Sequence, residues 1–119
     1  MKYYGGKVRT GNEISQILKQ ITEKCKIKGY IEPFCGANGV MRHMTDSYYK
    51  CYGFDACEDL VMLWNAIQNN EFRRSVMTEE KWLSLKNSNK PSALRGYAGF
   101  GCSFNGRLGR GHYRFVQHP

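Results

Sequence analysis

Apolar positions recur at helical spacing early in the chain. Ile14, Ile17, Leu18, Ile21 and Cys25 follow an i, i+3, i+4, i+7 rhythm, which predicts an amphipathic helix over residues 10–26 with that stripe buried. Thr10 and Glu13 have capping-box spacing at its start. Lys24, Lys26 and Lys28, followed by Gly29, suit its end. Two short apolar runs follow, residues 30–34 and 51–54. Between them lie a turn with Gly36 and Gly39 and a helix-compatible stretch of about 39–45. Strands joined through a helical connection are parallel and cross over right-handed. Their apolar character predicts a sheet covered on both faces. Leu60, Leu63, Trp64 and Ile67, with Val61 alongside, predict a helix over 58–70 that ends at Asn69 and Asn70. Trp82 and Leu85 mark a third helix over about 79–86, capped by Thr78, and Pro91 suits a further helical first turn after the break at 87–89. From Gly96 onward neither period holds, and no stretch repeats.

The chemistry is concentrated where the first strand meets its turn, in the run YIEPFCGANG from Tyr30 to Gly39. Strand, glycine turn and helix is the arrangement that aims backbone N–H groups at a ligand. Glu32 stands at the mouth of the turn. Asp55 ends the second strand, where a nucleoside-binding βαβ unit places its ribose acceptor. At this level a dinucleotide fits as well as any other nucleoside ligand. Upstream, the Gly5-Gly6 pair and Lys7 suit a tight loop with a cation at its tip, though alone they read equally as a frayed terminus. Cys35 has no base beside it and reads as a small turn residue rather than a nucleophile. His43, His112 and His118 are scattered.

Charge sharpens the picture. Residues 1–80 carry eleven Lys/Arg against ten Asp/Glu, whereas residues 81–119 carry seven Lys/Arg and no acid. That asymmetry points to a polyanion partner for the C-terminal third, or to a solvated basic tail. The run GYAGFGCSFNGRLGRGHYRF interleaves Tyr97, Phe100, Phe104, Tyr113 and Phe115 with glycines and arginines, as loops that contact nucleic acid do. The alternative is that its aromatics fill a core. Five cysteines without Cys-x-x-Cys spacing argue against a zinc site or disulfide framework. They indicate reduced thiols in a cytoplasmic setting. No signal peptide or membrane-length apolar run is present. At 119 residues the chain is at most one ordinary domain.

Taken in order, these residues resemble the adenine-specific DNA methyltransferases of the Dam type. Tyr4-Gly5-Gly6-Lys7 resembles the family's N-terminal aromatic–x–Gly–Gly–Lys motif, which helps hold S-adenosylmethionine. Glu32-Pro33-Phe34-Cys35-Gly36-Ala37-Asn38-Gly39 resembles its Glu-Pro-Phe-x-Gly-x-Gly segment, which wraps the methionine part of that cofactor. Phe54-Asp55, followed by Asp59-Leu60 and Asn65, resembles the motif whose acid takes the cofactor ribose. Tyr97 to Arg110, with Phe104-Asn105-Gly106-Arg107, resembles the segment that opens the DNA-recognition region.

The resemblance implies an α/β architecture: part of the Rossmann-like, S-adenosylmethionine-dependent methyltransferase fold, with a helical and glycine/aromatic-rich C-terminal segment. It divides the chain into a cofactor-binding part, 1–75, and the start of a basic DNA-recognition region, 76–119. The implied cofactor residues are Tyr4, Gly6, Lys7, Glu32, Phe34, Gly36, Asp55 and Ala56, with Phe34, Ala56 and Cys57 near enough in sequence to line an adenine slot. The implied nucleic-acid residues are Arg95, Tyr97, Asn105, Arg107 and Arg110. Double-stranded DNA is the expected partner, in a prokaryotic or virus-infected cell.

One part is missing. The family's catalytic Asp-Pro-Pro-Tyr accepts from the target amine and stacks on the flipped base. The prolines here are Pro33, Pro91 and Pro119, and no Asp follows Asp59. No catalytic residue is therefore assigned. The family's sheet has seven strands, and two are placed here, which leaves unpaired edges. The expectation is an N-terminal portion whose methyl transfer needs the remaining half, from a longer form or a second polypeptide. The alternatives are an inactive DNA-binding module and a truncated remnant.

Overall fold

The computed structural model describes residues 3, 5–45, 50–106 and 108. It divides into two compact units, Gly5–Ala56 and the described residues of Met1–Tyr4 with Cys57–Pro119.

In the first unit, helix α1 (Gly11–Lys24) precedes a parallel pair, β1 (Gly29–Glu32) and β2 (Lys50–Gly53). The register pairs Tyr30 with Cys51 and Ile31 with Tyr52. A mixed helix–strand unit with parallel strands agrees with the expected class. The helix expected at 39–45 contracts to a single 3-10 turn, Met41–His43. Gly36 (φ +48°) and Asn38 (φ +53°) take left-handed backbone conformations just before it. Those angles keep a right-handed helix from beginning before residue 39. The connection is nevertheless the core of this unit, with Cys35, Ala37, Val40, Met41 and Met44 all buried.

The stripe predicted for α1 is buried only in part, with Ile14 and Leu18 half-buried. Gly11, Ser15 and Thr22 are buried, whereas Ile17 and Ile21 are 59% and 50% exposed and Cys25 is exposed. The cause is the glycine contact at the helix start. A Cβ on Gly11 would lie 1.9 Å from the Gly39 carbonyl oxygen, so α1 sits directly on the glycine turn. Positions 11, 15, 18 and 22 share one face of a helix, and this contact turns that face inward. Ser15 Oγ and Thr22 Oγ1 donate to the carbonyls of Asn12 and Lys19 at 2.7 and 2.8 Å. Hydroxyls satisfied in this way can be buried without an unmade bond. The capping box does not form, because Thr10 is itself helical and its side chain caps nothing. The sheet is also not covered on both faces. Tyr30 and Cys51 are half-buried on one side, while Ile31 and Tyr52 on the other are 62% and 55% exposed.

The second unit packs three helices, α2 (Glu58–Gln68), α3 (Glu79–Asn87) and α4 (Ala93–Phe100). Its core joins Leu63, Met77, Trp82, Tyr97, Ala98 and Cys102, with Phe72 and Leu85 against them. Leu60 is fully buried and Trp64 half-buried, while Ile67 lies toward solvent. Thr78 caps α3 as expected, accepting from the Lys81 N–H. Residues 96–100, expected to lack regular structure, are helical, and Gly96 stands where this helix meets α2. A Cβ on Gly96 would lie 2.3 Å from the Asp59 carbonyl oxygen, so glycine is what lets α4 close on α2. The Asp59 side chain then secures the contact, accepting from the Ser92 N–H at 2.9 Å and pairing with Arg95 at 2.5 Å. Trp82 Nε1 donates to Ser103 Oγ at 2.8 Å, and that buried hydroxyl donates to the Ala98 carbonyl at 2.7 Å.

Gly96→Ala is expected to cost about 1–3 kcal/mol, since backbone cannot move aside as a side chain does. Gly29→Ala, whose Cβ would meet its nearest atom at 3.8 Å, is expected to stay within about 0.5 kcal/mol of the parent. Urea unfolding of both variants measures the contrast, and equal losses contradict it.

Candidate functional site

The ends of the two strands are stitched to the turn between them. Phe54 N–H donates to the Glu32 carbonyl at 2.9 Å, and Cys35 N–H to the Phe54 carbonyl at 2.8 Å. Past the last strand residue, Asp55 Oδ2 accepts from the Gly36 N–H at 2.9 Å. A backbone donor at the head of a glycine turn thus meets a carboxylate delivered by the neighbouring strand. The left-handed conformation at Gly36 costs glycine nothing. Asn38 stands where the Glu-Pro-Phe-x-Gly-x-Gly pattern has its second glycine. It keeps the left-handed backbone, which asparagine tolerates better than other side chains. Among the described residues its buried Oδ1 has no hydrogen-bond partner.

The N-terminal motif reaches the same turn. A Cβ on Gly39 would lie 2.7 Å from the Lys7 carbonyl carbon and 2.9 Å from the Val8 nitrogen. The backbone after the Gly5-Gly6 pair therefore rests on Gly39. Gly5 itself is left-handed (φ +77°), and the exposed Lys7 Nζ donates to its carbonyl at 3.1 Å.

Glu32 is half-buried at the foot of the turn. Tyr30 Oη donates to Glu32 Oε2 at 3.1 Å. Burial raises the Glu32 carboxyl above its ordinary value, and the bonds from Tyr30 and the Met41 backbone only partly offset this. Burial, reinforced by the Glu32 charge, pushes the Tyr30 hydroxyl up to about 12. A carboxylate held short of full solvation attracts a cation more strongly than one in water. Burial and the charges of Asp55 and Glu32 likewise raise the Cys35 thiol, which keeps it protonated and unreactive. Phe34 projects beside the turn, 84% exposed. Ala56 is exposed just after Asp55.

The structure therefore brings Lys7, Glu32, Phe34, Gly36 and Asp55 to one turn, with Gly6 in the loop leading to it. Tyr4, Arg107 and Arg110 lie outside the described residues, as does the side chain of Asn105. Arg95 bonds Asp59 and the Leu85 carbonyl, and Tyr97 is buried in the second unit's core. Sequence reasoning missed Tyr30, whose two-residue spacing from Glu32 along a strand puts both on one face. Among the described residues no cluster of His, Cys, Asp and Glu has the makings of a metal site. None of their helices is long and apolar enough to cross a membrane.

The model of the D12 class of N6 adenine-specific DNA methyltransferases matches residues 3–95. The chain belongs to this family. A type II methyltransferase, M.MjaIII of Methanocaldococcus jannaschii, is 31% identical over 72 residues, which are 59% of this chain and 25% of that protein. The chain spans about a quarter of that relative's length. No solved structure matches. The family match runs through all the elements that build the glycine turn and ends at Arg95, within α4.

The raised Glu32 carboxyl has a consequence for stability. A group whose folded value exceeds its unfolded one stabilises the fold below the unfolded value, and this contribution is lost as pH rises through the folded value. Glu32→Gln is therefore expected to raise the thermal unfolding midpoint near pH 7 and to leave it unchanged near about pH 3.5, below the ordinary carboxylate value. Paired melts at the two pH values decide it, and an equal shift at both contradicts it.

Proposed function

We propose that the glycine turn of this family member holds S-adenosylmethionine and that the chain contributes to methylation of adenine N6 in double-stranded DNA. The observation that carries the reading is the convergence at one turn of three separate segments: Gly5-Gly6-Lys7, Glu32 to Gly39, and Asp55. The residues suit the group they would hold. Glu32 offers a partly desolvated carboxylate to a cationic methionine end. Asp55, oriented by the Gly36 N–H, offers an acceptor to the ribose hydroxyls. Phe34 and Ala56 offer apolar surface to the adenine, with Cys57 next in sequence; Gly6 and Lys7 close the loop beside them, and Tyr4, which precedes them in sequence, completes the motif of the resemblance. When bound, the cofactor supplies an electrophilic methyl group on a sulfonium.

In this reading the chain's own residues bind and orient the donor and leave the acceptor chemistry to an Asp-Pro-Pro-Tyr motif outside these 119 residues, in a longer form or a second polypeptide. Asn105, Arg107 and Arg110 are proposed to meet DNA directly. Arg95 and Tyr97 act from within, since the Arg95–Asp59 pair and the buried Tyr97 ring fix the helix that leads into that segment.

Calorimetric titration of the chain with S-adenosylmethionine tests the donor site. Saturable binding is expected, weakened about tenfold or more in Asp55→Ala, the loss of one charge-assisted hydrogen bond. An absence of heat at millimolar cofactor contradicts the proposal.

A further inference from the structure

Between α2 and α3 the chain runs without regular secondary structure, and both ends of that run are fixed. Phe72 packs on the core with its ring 5.3 Å from that of Tyr97, and its N–H donates to the Ala66 carbonyl at 3.1 Å. Met77, five residues on, is 5% exposed in the same core. The four residues between these anchors, Arg73, Arg74, Ser75 and Val76, are all exposed. Among the described residues neither Arg73 nor Arg74 has an ion pair or a side-chain hydrogen bond, although Glu71, Glu79 and Glu80 are close in sequence, and the Arg74 charge is felt at the Tyr97 hydroxyl.

This differs from the other described cations of the unit that take protein partners. Arg95 is bound by Asp59 and Leu85, and Lys86 lies over the Trp82 ring at 5.1 Å. An anchored loop has already lost most of its backbone freedom, so a ligand that meets it bears little ordering cost. Guanidinium groups match phosphate oxygens in shape and remain charged at any working pH.

We infer that Arg73 and Arg74 form a phosphate-contacting loop that grips the backbone of duplex DNA. The inference rests on the DNA reading proposed above and adds to it two residues that aromatic–glycine patterning does not reveal. Contacts of this kind position the duplex without reading its sequence. Each contributes to the salt dependence of binding through release of a counterion.

The test is binding of the full chain to a short fluorescent duplex over a series of potassium chloride concentrations. For Arg73→Ala/Arg74→Ala, the slope of log affinity against log salt is expected to fall by about 1–2, with weaker binding to every duplex sequence tried. Arg73→Lys/Arg74→Lys is expected to keep the slope, and thermal unfolding of both variants to stay close to the parent, because both side chains are exposed. An unchanged slope in the alanine variant, with the parent binding normally, overturns this inference and leaves the DNA reading standing. A parent chain that fails to bind duplex at the lowest salt overturns both.

Discussion

The hydrogen bond from the Gly36 N–H to the Asp55 carboxylate spans nineteen residues of chain and closes the first unit around its glycine turn. Its geometry follows from the parallel register. With Glu32 opposite Gly53, the residues just beyond each strand fall side by side, so the second strand can deliver a carboxylate to the backbone of the turn. Other features of the unit are arranged about that turn. α1 begins on Gly39, the segment after Gly5 and Gly6 lies across it, and the buried Met41 and Met44 follow directly in the chain. At Gly11 and Gly39 backbone meets backbone with no room for a Cβ, whereas Gly5 has open space and serves through its left-handed φ.

The second unit solves its packing in a related way. Gly96 removes the side chain that would hold α4 off α2, and Asp59 ties the two helices by binding the first turn of α4 and the Arg95 guanidinium. Carboxylates of Asp55 and Asp59, four residues apart, thus bind backbone N–H groups in their respective units, one at a turn and one at a helix start. Both bonds are charge-assisted, the stronger kind of protein hydrogen bond.

Much of this was legible in the sequence. The parallel strands, the glycine turn between them and the acid at the end of β2 follow from apolar runs and punctuation. So does the Thr78 cap on α3. Periodicity misled where a backbone contact overrode it. The isoleucines of α1 form the more regular stripe, yet the Gly11–Gly39 contact fixes the helix by its small and hydroxylated face. The glycines after residue 95 argued against helix, but Gly96 stands in α4 where close packing on α2 needs its missing side chain. Arg95 and Tyr97 illustrate a related limit. The resemblance grouped them with the basic segment that follows, whereas their surroundings, an acid one helix away and an aromatic core, depend on long-range packing. The pairing of Tyr30 with Glu32 was implicit in strand alternation.

The central claim is that three distant segments form one cofactor cradle. Amide chemical-shift mapping of the isotope-labelled chain during titration with S-adenosylhomocysteine, the product form of the cofactor, tests it most directly. The account predicts saturable shifts concentrated at residues 5–7, 32–39 and 55–56, with α3 little affected. Shifts confined to α3 and α4, or none at saturating ligand, would contradict it.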